Sequence, residues 1–218
     1  MHLTPLPFDS YNRVGWRNGG GQALDIAVHP SDAGMADEFA WRVALAEIEK
    51  DGPFSLYGQG VERIITLLDG HGFDLDFTVE EPALTIREPH MPARFRGDRP
   101  STCRLQNGRC IVFNVLYDER HFSAQFHIIR PLPDQPLIFG APGRTTLLFC
   151  LTGMLDIKAG ESDHHLKPWD SLRIDLGAGE APLLTLTARA QESRLLLVGF
   201  EPTALAEQDL EKSLVTLT

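Results

Sequence analysis

Three polar side chains stand out because apolar runs surround them. Arg42 follows Trp41 inside "FAWRVALAEIE" (residues 39–49). Alternation there puts Phe39, Trp41, Val43 and Leu45 on one face and Ala40, Arg42, Ala44 and Ala46 on the other. Arg63 opens "RIITLLDG" (63–70), and Asn114 interrupts "CIVFNVLY" (110–117). A charged or amide group in a buried strand must be paired or hydrogen-bonded, because shedding water without a partner costs roughly 2–7 kcal/mol. Two arrangements meet that demand. One is an internal salt bridge, for instance Arg42 with Glu47 or Asp98. The other is a barrel interior holding a small anionic ligand, with arginine gripping a carboxylate and the alanines beside Arg42 leaving room for it.

Other chemistries fit poorly. In "GWRNGGGQ" (15–22) a phosphate loop would need GxxxxGK[ST], yet Gly20 and Gly21 are followed by Gln22 and Ala23 with no lysine. A dinucleotide fingerprint would need a third glycine where Leu24 stands, and a helix where "ALDIAV" reads as strand. What remains is a tight turn or bulge where backbone approaches something closely, or a pocket wall on which Trp16 and Asn18 face a ligand. None of the eight histidines forms HxH or HExxH, and the adjacent His164 and His165 point to opposite faces of a strand. No metal and no cofactor is expected. There is no GxSxG elbow. Ser55 in "GPFSLYG" has no base nearby, and Cys103 and Cys110 sit near strands, where a thiol is usually a small core hydrophobe. No catalytic residue is assigned. An enzyme acting on a small acid would have to recruit His71, His90 or Asp98 as acid or base.

The elements that must place these groups are short strands. Besides the runs above, "FDLDF", "SAQFHIIRP", "TTLLFCLTG", "MLDIKAG", "DSLRIDL", "PLLTLTA" and "SRLLLVGF" alternate or run apolar between Pro, Gly and Asp clusters. Asn107-Gly108 is a hairpin signal between two of them. "EKDGPFSLYG" and "EPHMPARFRGDRPST" read as loops. "TALAEQDLEK" (203–212), with Thr203 as N-cap, is the best helix candidate. "LLDGHGFDLDF" and "CLTGMLDIKA" echo each other, with Gly70 and Gly153 standing 83 residues apart, followed later by Gly97-Asp98 and Trp169-Asp170. The expected fold is all-β with little helix: two jelly-roll β-barrels in one chain.

The 218 residues are 43% hydrophobic, enough for a substantial core, and carry a formal charge of -10. That charge argues against nucleic acid and anionic membrane as partners. Three cysteines without a CxxC pair suggest a reducing compartment. The first residues show no signal-peptide pattern, and no run approaches the ~18–20 apolar residues of a membrane span, so a cytoplasmic protein is expected.

Taken in order, "WRNGGG" (16–21), "FAWRVALAEIEKDGPFS" (39–55), "YGQGVERIITLLDGHGFDL" (57–75), "FRGDRP" (95–100) and "LQNGRCIVFNVLY" (105–117) resemble the HutD/Ves family. The likeness is dense over residues 10–120 and thins beyond Arg130. It implies a bicupin, with one cupin barrel over 1–125 and another over 126–218 and strands open to exchange between them. It implies no metal, a link to histidine utilisation or to stress responses, and no established reaction. By position, its pocket residues fall on Trp16, Asn18, Arg42, Arg63, Phe95, Asp98 and Asn114. Tyr57-Gly58 stands where Phe-Pro is common, Glu62 where Asp is usual and Ala40 where Asp is common. The expected partner is a small anionic, carboxylated metabolite such as urocanate or formylglutamate. A homodimer formed by sheet packing is the expected assembly.

Overall fold

A computed structural model describes residues 1–15, 21–30, 39–78 and 82–207. After β1 (His2–Leu6) and a 3-10 turn at Phe8–Ser10 come β2 (Asn12–Gly15), β3 (Gly21–His29), β4 (Trp41–Ile48), β5 (Gly52–Pro53), β6 (Val61–Asp69) and β7 (Phe73–Phe77). Then follow β8 (Leu84–Ile86), β9 (Pro92–Arg96), β10 (Ser101–Leu105) and β11 (Cys110–Asp118). The remainder comprises β12 (Phe122–Ile129), β13 (Leu137–Gly140), β14 (Thr145–Thr152), β15 (Leu155–Ala159), β16 (Ser162–Leu166), β17 (Ser171–Asp175), β18 (Leu183–Ala188) and β19 (Arg194–Pro202). Among the described residues, helix is limited to the 3-10 turn and one turn over 204–207. Thr203 caps that turn, its Oγ1 accepting the Ala206 N–H at 3.4 Å. The rest of the expected helix lies outside the described residues.

The chain divides into two compact units, Asn12–Phe122 and Met1–Tyr11 with Ser123–Thr218. The first contains a six-stranded sheet, β2-β3-β4-β11-β6-β9, and a four-stranded sheet, β5-β10-β7-β8. The second contains a five-stranded sheet, β1-β17-β14-β19-β12, and a four-stranded sheet, β13-β18-β15-β16. Among the described residues, none of the four sheets closes on itself. The strand order repeats: β9-β6-β11-β4 matches β17-β14-β19-β12, and β5-β10-β7-β8 matches β13-β18-β15-β16.

The glycine echo in the sequence has a physical basis. Gly70 follows β6 and Gly153 follows β14, with φ of 98° and 73°. A Cβ at Gly70 would meet the Arg109 carbonyl oxygen at 2.5 Å, and one at Gly153 would meet Ser193 Oγ at 2.3 Å. Both turns therefore need left-handed backbone pressed against the start of the neighbouring long strand, which only glycine supplies without strain.

In the wide sheet of the Asn12–Phe122 unit both faces are buried. Val43, Leu45, Phe113 and Val115 line one, while Ala46, Ile48, Val112 and Leu67 line the other. Strands buried on both sides read as near-continuous apolar runs, and the polar exceptions within them are the informative positions. The second face, hereafter the inner face, packs on Phe73 and Leu75 of the smaller sheet.

Two local expectations are corrected. Asn107-Gly108 forms a turn, with Gly108 at φ 67°, but not a hairpin. β10 pairs with β5 and β7, whereas β11 pairs with β4 and β6, so the turn carries the chain from one sheet to the other. Residues 88–102 are not all loop: Pro92–Arg96 forms β9 and Ser101 opens β10. Pro92 is tolerated because β9 is an edge strand and Pro92 is its first residue.

Candidate functional site

Strand register fixes which polar residues share the inner face of the Asn12–Phe122 unit. Directly opposed residues of antiparallel strands point to the same side. Ile65, Asn114, Ala44 and Asp25 therefore form one cross-strand row. Phe95, Arg63, Leu116, Arg42 and Val28 form the next. Apolar residues lie on either side: the cluster of Ile65, Leu67, Val112, Phe73 and Leu75, and the small cluster of Phe39, Val61 and Leu116. A polar belt of Arg63, Asn114, Asp25 and Arg42 crosses the face between them.

Arg63 is the centre of that belt. It is 4% exposed. NH2 donates to Asn114 Oδ1 at 3.2 Å and NH1 to the Ser55 carbonyl at 3.4 Å. Its Nε has no hydrogen-bond partner among the described residues, and no carboxylate there forms an ion pair with the guanidinium. The guanidinium carbon instead lies 4.4 Å from the Phe54 ring centroid, 5.1 Å from Phe95 and 5.4 Å from Tyr57. Each such contact contributes about 0.5–2 kcal/mol, which offsets part of the desolvation but neutralises no charge. Burial pulls the Arg63 pKa down to about 10, Tyr57 opposes that shift and the neighbouring Arg42 charge adds to it. At neutral pH the group is a buried cation facing rings and neutral oxygens.

Local sequence explains each part of this arrangement. Phe95 sits directly opposite Arg63 in the β6–β9 register. Gly97 lies so close to the Arg63 stem that a Cβ there would stand 3.2 Å from its Cγ, and the Gly97 N–H donates to the Val61 carbonyl at 2.7 Å. The Tyr57 N–H closes the other side onto the Gly97 carbonyl at 2.9 Å. The "FRGD" tetrapeptide thus supplies a ring, a gap for the arginine stem and a turn-fixing carboxylate. That carboxylate, Asp98, accepts from Arg96 at 2.9 and 3.2 Å and from the Gly60 N–H at 3.3 Å. Its bonds to Arg96 hold the Asp98 carboxyl below the ordinary aspartate range. Arg96 also meets Glu119 at 2.8 Å and Glu62 at 3.3 Å, so Asp98 belongs to an ion-pair network.

The structure brings Arg63, Asn114 and Phe95 together. Arg42 shares their face but is ion-paired, and neither partner foreseen for it is the one it takes. Its Nε donates to Asp25 Oδ1 at 2.8 Å, with NH2 at 2.6 Å from the same oxygen. Glu47 falls at odd register on the opposite face and pairs with Arg109, while Asp98 is engaged by Arg96. Trp16 and Asn18 lie outside the described residues; the next described residue, Gly21, pairs with Ile48 at the far end of β4 from Arg42. Phe54, Tyr57 and Asp25 were not foreseen. The signal for the first two was the pair of aromatic residues in "GPFSLYG", a segment whose proline and glycines suggested loop. Asp25 could have been found as the only acid in "GQALDIAVH", the strand paired with β4.

The histidines and cysteines weighed for acid–base or nucleophilic work are not part of this belt. His71 sits in an exposed turn with Nδ1 3.2 Å from the Asn107 carbonyl. His90 occupies a turn at φ 64°. The three cysteines are free and buried, and burial pushes the Cys103 and Cys150 thiols up to about 12. Among the described residues, no three His, Cys, Asp or Glu side chains gather as metal ligands would, and no helix is long and apolar enough to cross a membrane.

Comparison with known proteins places this site in context. A family model described as HutD matches residues 9–196. An uncharacterized 21.2 kDa protein in the hutC 3' region of Pseudomonas putida is 32% identical over 176 residues, covering 79% of this chain and 87% of that protein. Protein Ves of Citrobacter koseri is 37% identical over 94 residues, 43% of this chain and 46% of its own length. Among solved structures, HutD from Pseudomonas fluorescens SBW25, in a formate condition, superposes with a TM-score of 0.75 at 26% identity, covering 93% of this chain and all of that one. A cupin 2 conserved barrel domain protein from Leptotrichia buccalis, 12% identical with a TM-score of 0.52 over 89% of this chain and 95% of its own, shares the cupin-like fold alone.

Proposed function

The chain belongs to the HutD family, and from that premise we propose that its Asn12–Phe122 unit binds a small carboxylated metabolite without a metal, each unit serving as one cupin-type jelly roll. One observation carries this reading: Arg63 is a buried guanidinium that, among the described residues, has no carboxylate partner and an unsatisfied Nε. A buried charge left unpaired is expensive. A ligand carboxylate at the Nε edge would supply the missing acceptor and the missing negative charge together. Asn114 holds the guanidinium from one side, and Phe54, Tyr57 and Phe95 exclude water around it.

The metabolite belongs to histidine breakdown, with urocanate and formylglutamate the first candidates. Supporting this is the Pseudomonas putida relative, described by its place beside hutC. The protein acts as a sensor or modulator of that pathway rather than as its catalyst. In favour of that choice, Asp98 is locked in an ion-pair network and His71 lies in an exposed turn, so neither is poised as a proton carrier beside Arg63.

Calorimetry with a panel of short carboxylic acids tests the assignment. Saturable one-to-one binding that disappears in Arg63→Met is expected. Affinity unchanged in Arg63→Met, or no binding by any acid of the panel, would overturn it.

A further inference from the structure

The two buried arginines of the belt are not equivalent, and their difference limits the charge a ligand can bring. Arg63 and Arg42 lie in one cross-strand row, separated by Leu116 of β11, so their backbones stand roughly 10 Å apart. A dicarboxylate reaching from one to the other is the obvious guess from their spacing. Arg42, however, is already committed: Asp25 Oδ1 occupies its Nε–NH2 edge at 2.8 and 2.6 Å, with both side chains largely buried. Among the described residues the belt thus holds two cations and one anion, and its neutral member, Asn114, adds no charge. Glu62, Asp98 and Glu119 are engaged with Arg96 rather than with the belt.

We infer that the site selects a monoanion: a molecule with one carboxylate for Arg63 and an uncharged, hydrogen-bonding remainder lying toward the Arg42–Asp25 pair. This rests on the carboxylate-binding reading and narrows it: of the two candidates named above it keeps urocanate, which has one carboxylate and a ring, and rejects formylglutamate, which has two carboxylates. A second ligand carboxylate would have to share Arg42 with Asp25, placing two negative groups around one cation in a dry environment. A neutral amide or ring nitrogen meets no such penalty and can still hydrogen-bond to the pair. Asp25 is accordingly a specificity-determining residue. It filters ligand charge by keeping Arg42 occupied.

A matched pair of probes tests the inference: glutarate, with two carboxylates, and glutaramate, in which one is an amide of nearly the same shape. In the native protein glutaramate is expected to bind at least tenfold more tightly. Glutarate affinity should climb as pH falls and its second carboxylate takes up a proton, while glutaramate affinity stays flat over that window. In Asp25→Asn, which frees Arg42 but keeps an acceptor beside it, glutarate should gain at least tenfold and the preference should close or reverse. Should that variant fail to fold, the native pair and its pH dependence still decide. Glutarate binding as tightly as glutaramate in the native protein would overturn the monoanion rule while leaving carboxylate binding intact. Failure of both probes to bind would overturn the rule together with the reading beneath it.

Discussion

Where the Asn12–Phe122 unit places Arg63 and Asn114, the other unit places Thr146 and Leu197. The equivalence follows from register: Asn114 pairs with Ile65 as Leu197 pairs with Leu148, and Arg63 pairs with Leu116 as Thr146 pairs with Gly199. Leu197 packs in an apolar cluster with residues such as Leu148, Leu155, Ile157, Leu172, Leu186 and Leu195, and the polar group facing that interior is His164, opposite Ile157, whose buried Nε2 has no partner among the described residues. The buried hydroxyls of that unit are satisfied: Thr146 bonds to the Gly143 carbonyl, Ser193 to the Met154 carbonyl and Ser171 to Tyr11. One strand order thus supports two interiors, one closed around hydrocarbon and one built around a cation. The repeated architecture provides the frame, and a few substitutions at matched positions decide which interior holds an unpaired cation, the feature on which the proposed ligand binding rests.

The largest effect is expected from forcing one interior toward the other. Leu197→Asn would put the amide of one unit into the hydrocarbon of the other, with no arginine to receive it. Lost apolar contact and an orphaned amide together predict a loss of about 3–5 kcal/mol in unfolding free energy, read by denaturant titration. A loss under about 1 kcal/mol would mean that the second interior is wetter than its residues indicate.

Removing the cation is the next test. Arg63→Met should lower carboxylate affinity 100-fold or more, about 2.7 kcal/mol, in a chain that stays folded. The matched change Thr146→Val should leave binding untouched, and a comparable loss there would dissolve the distinction between the units. Asn114→Leu, which copies the residue of the second unit, should weaken binding about tenfold by releasing one side of the guanidinium, again read by calorimetry.

Smaller effects sharpen the same contrast. Because burial draws the Arg63 pKa to about 10 and a carboxylate binds only its charged form, affinity should be flat from pH 7 to 9. Above about pH 10 it should fall roughly tenfold per unit. The sign is fixed, since the bound anion favours the protonated guanidinium, and rising affinity above pH 10 would assign the site to another group. Tyr57→Phe should be smallest, under about threefold, since the ring remains and only its hydroxyl beside Arg63 is lost.

How much of this was legible in the sequence depended on how local the cause was. Alternation in "FAWRVALAEIE" assigned the faces of β4 correctly because strand period is a backbone property. The glycine echo foretold the repeated strand order because left-handed turns demand glycine wherever they recur. Arg63 and Asn114 stood out because polar groups in buried strands need partners. Arg42's partner was misread because it depends on the cross-strand alignment of β3 with β4, which includes a bulge between Asp25 and Ala27. Phe54 and Tyr57 were missed because a short connecting segment has no period, and only the folded chain shows its rings lying against a guanidinium. Asn107-Gly108 produced a real turn but the wrong pairing, since turn chemistry cannot say to which sheet the next strand belongs.

Carboxylate binding as proposed requires that Arg63 be the group that meets the anion. Its Nε–H can be watched directly in a 15N–1H correlation of the arginine side chains, with the Arg63 resonance assigned by its disappearance in Arg63→Met. On addition of saturating glutaramate that resonance should shift strongly downfield in the proton dimension, as a new hydrogen bond to the Nε–H requires, while the Arg42 resonance, already bonded to Asp25, should barely move. An Arg63 signal that stays in place while glutaramate binds would contradict carboxylate recognition by Arg63.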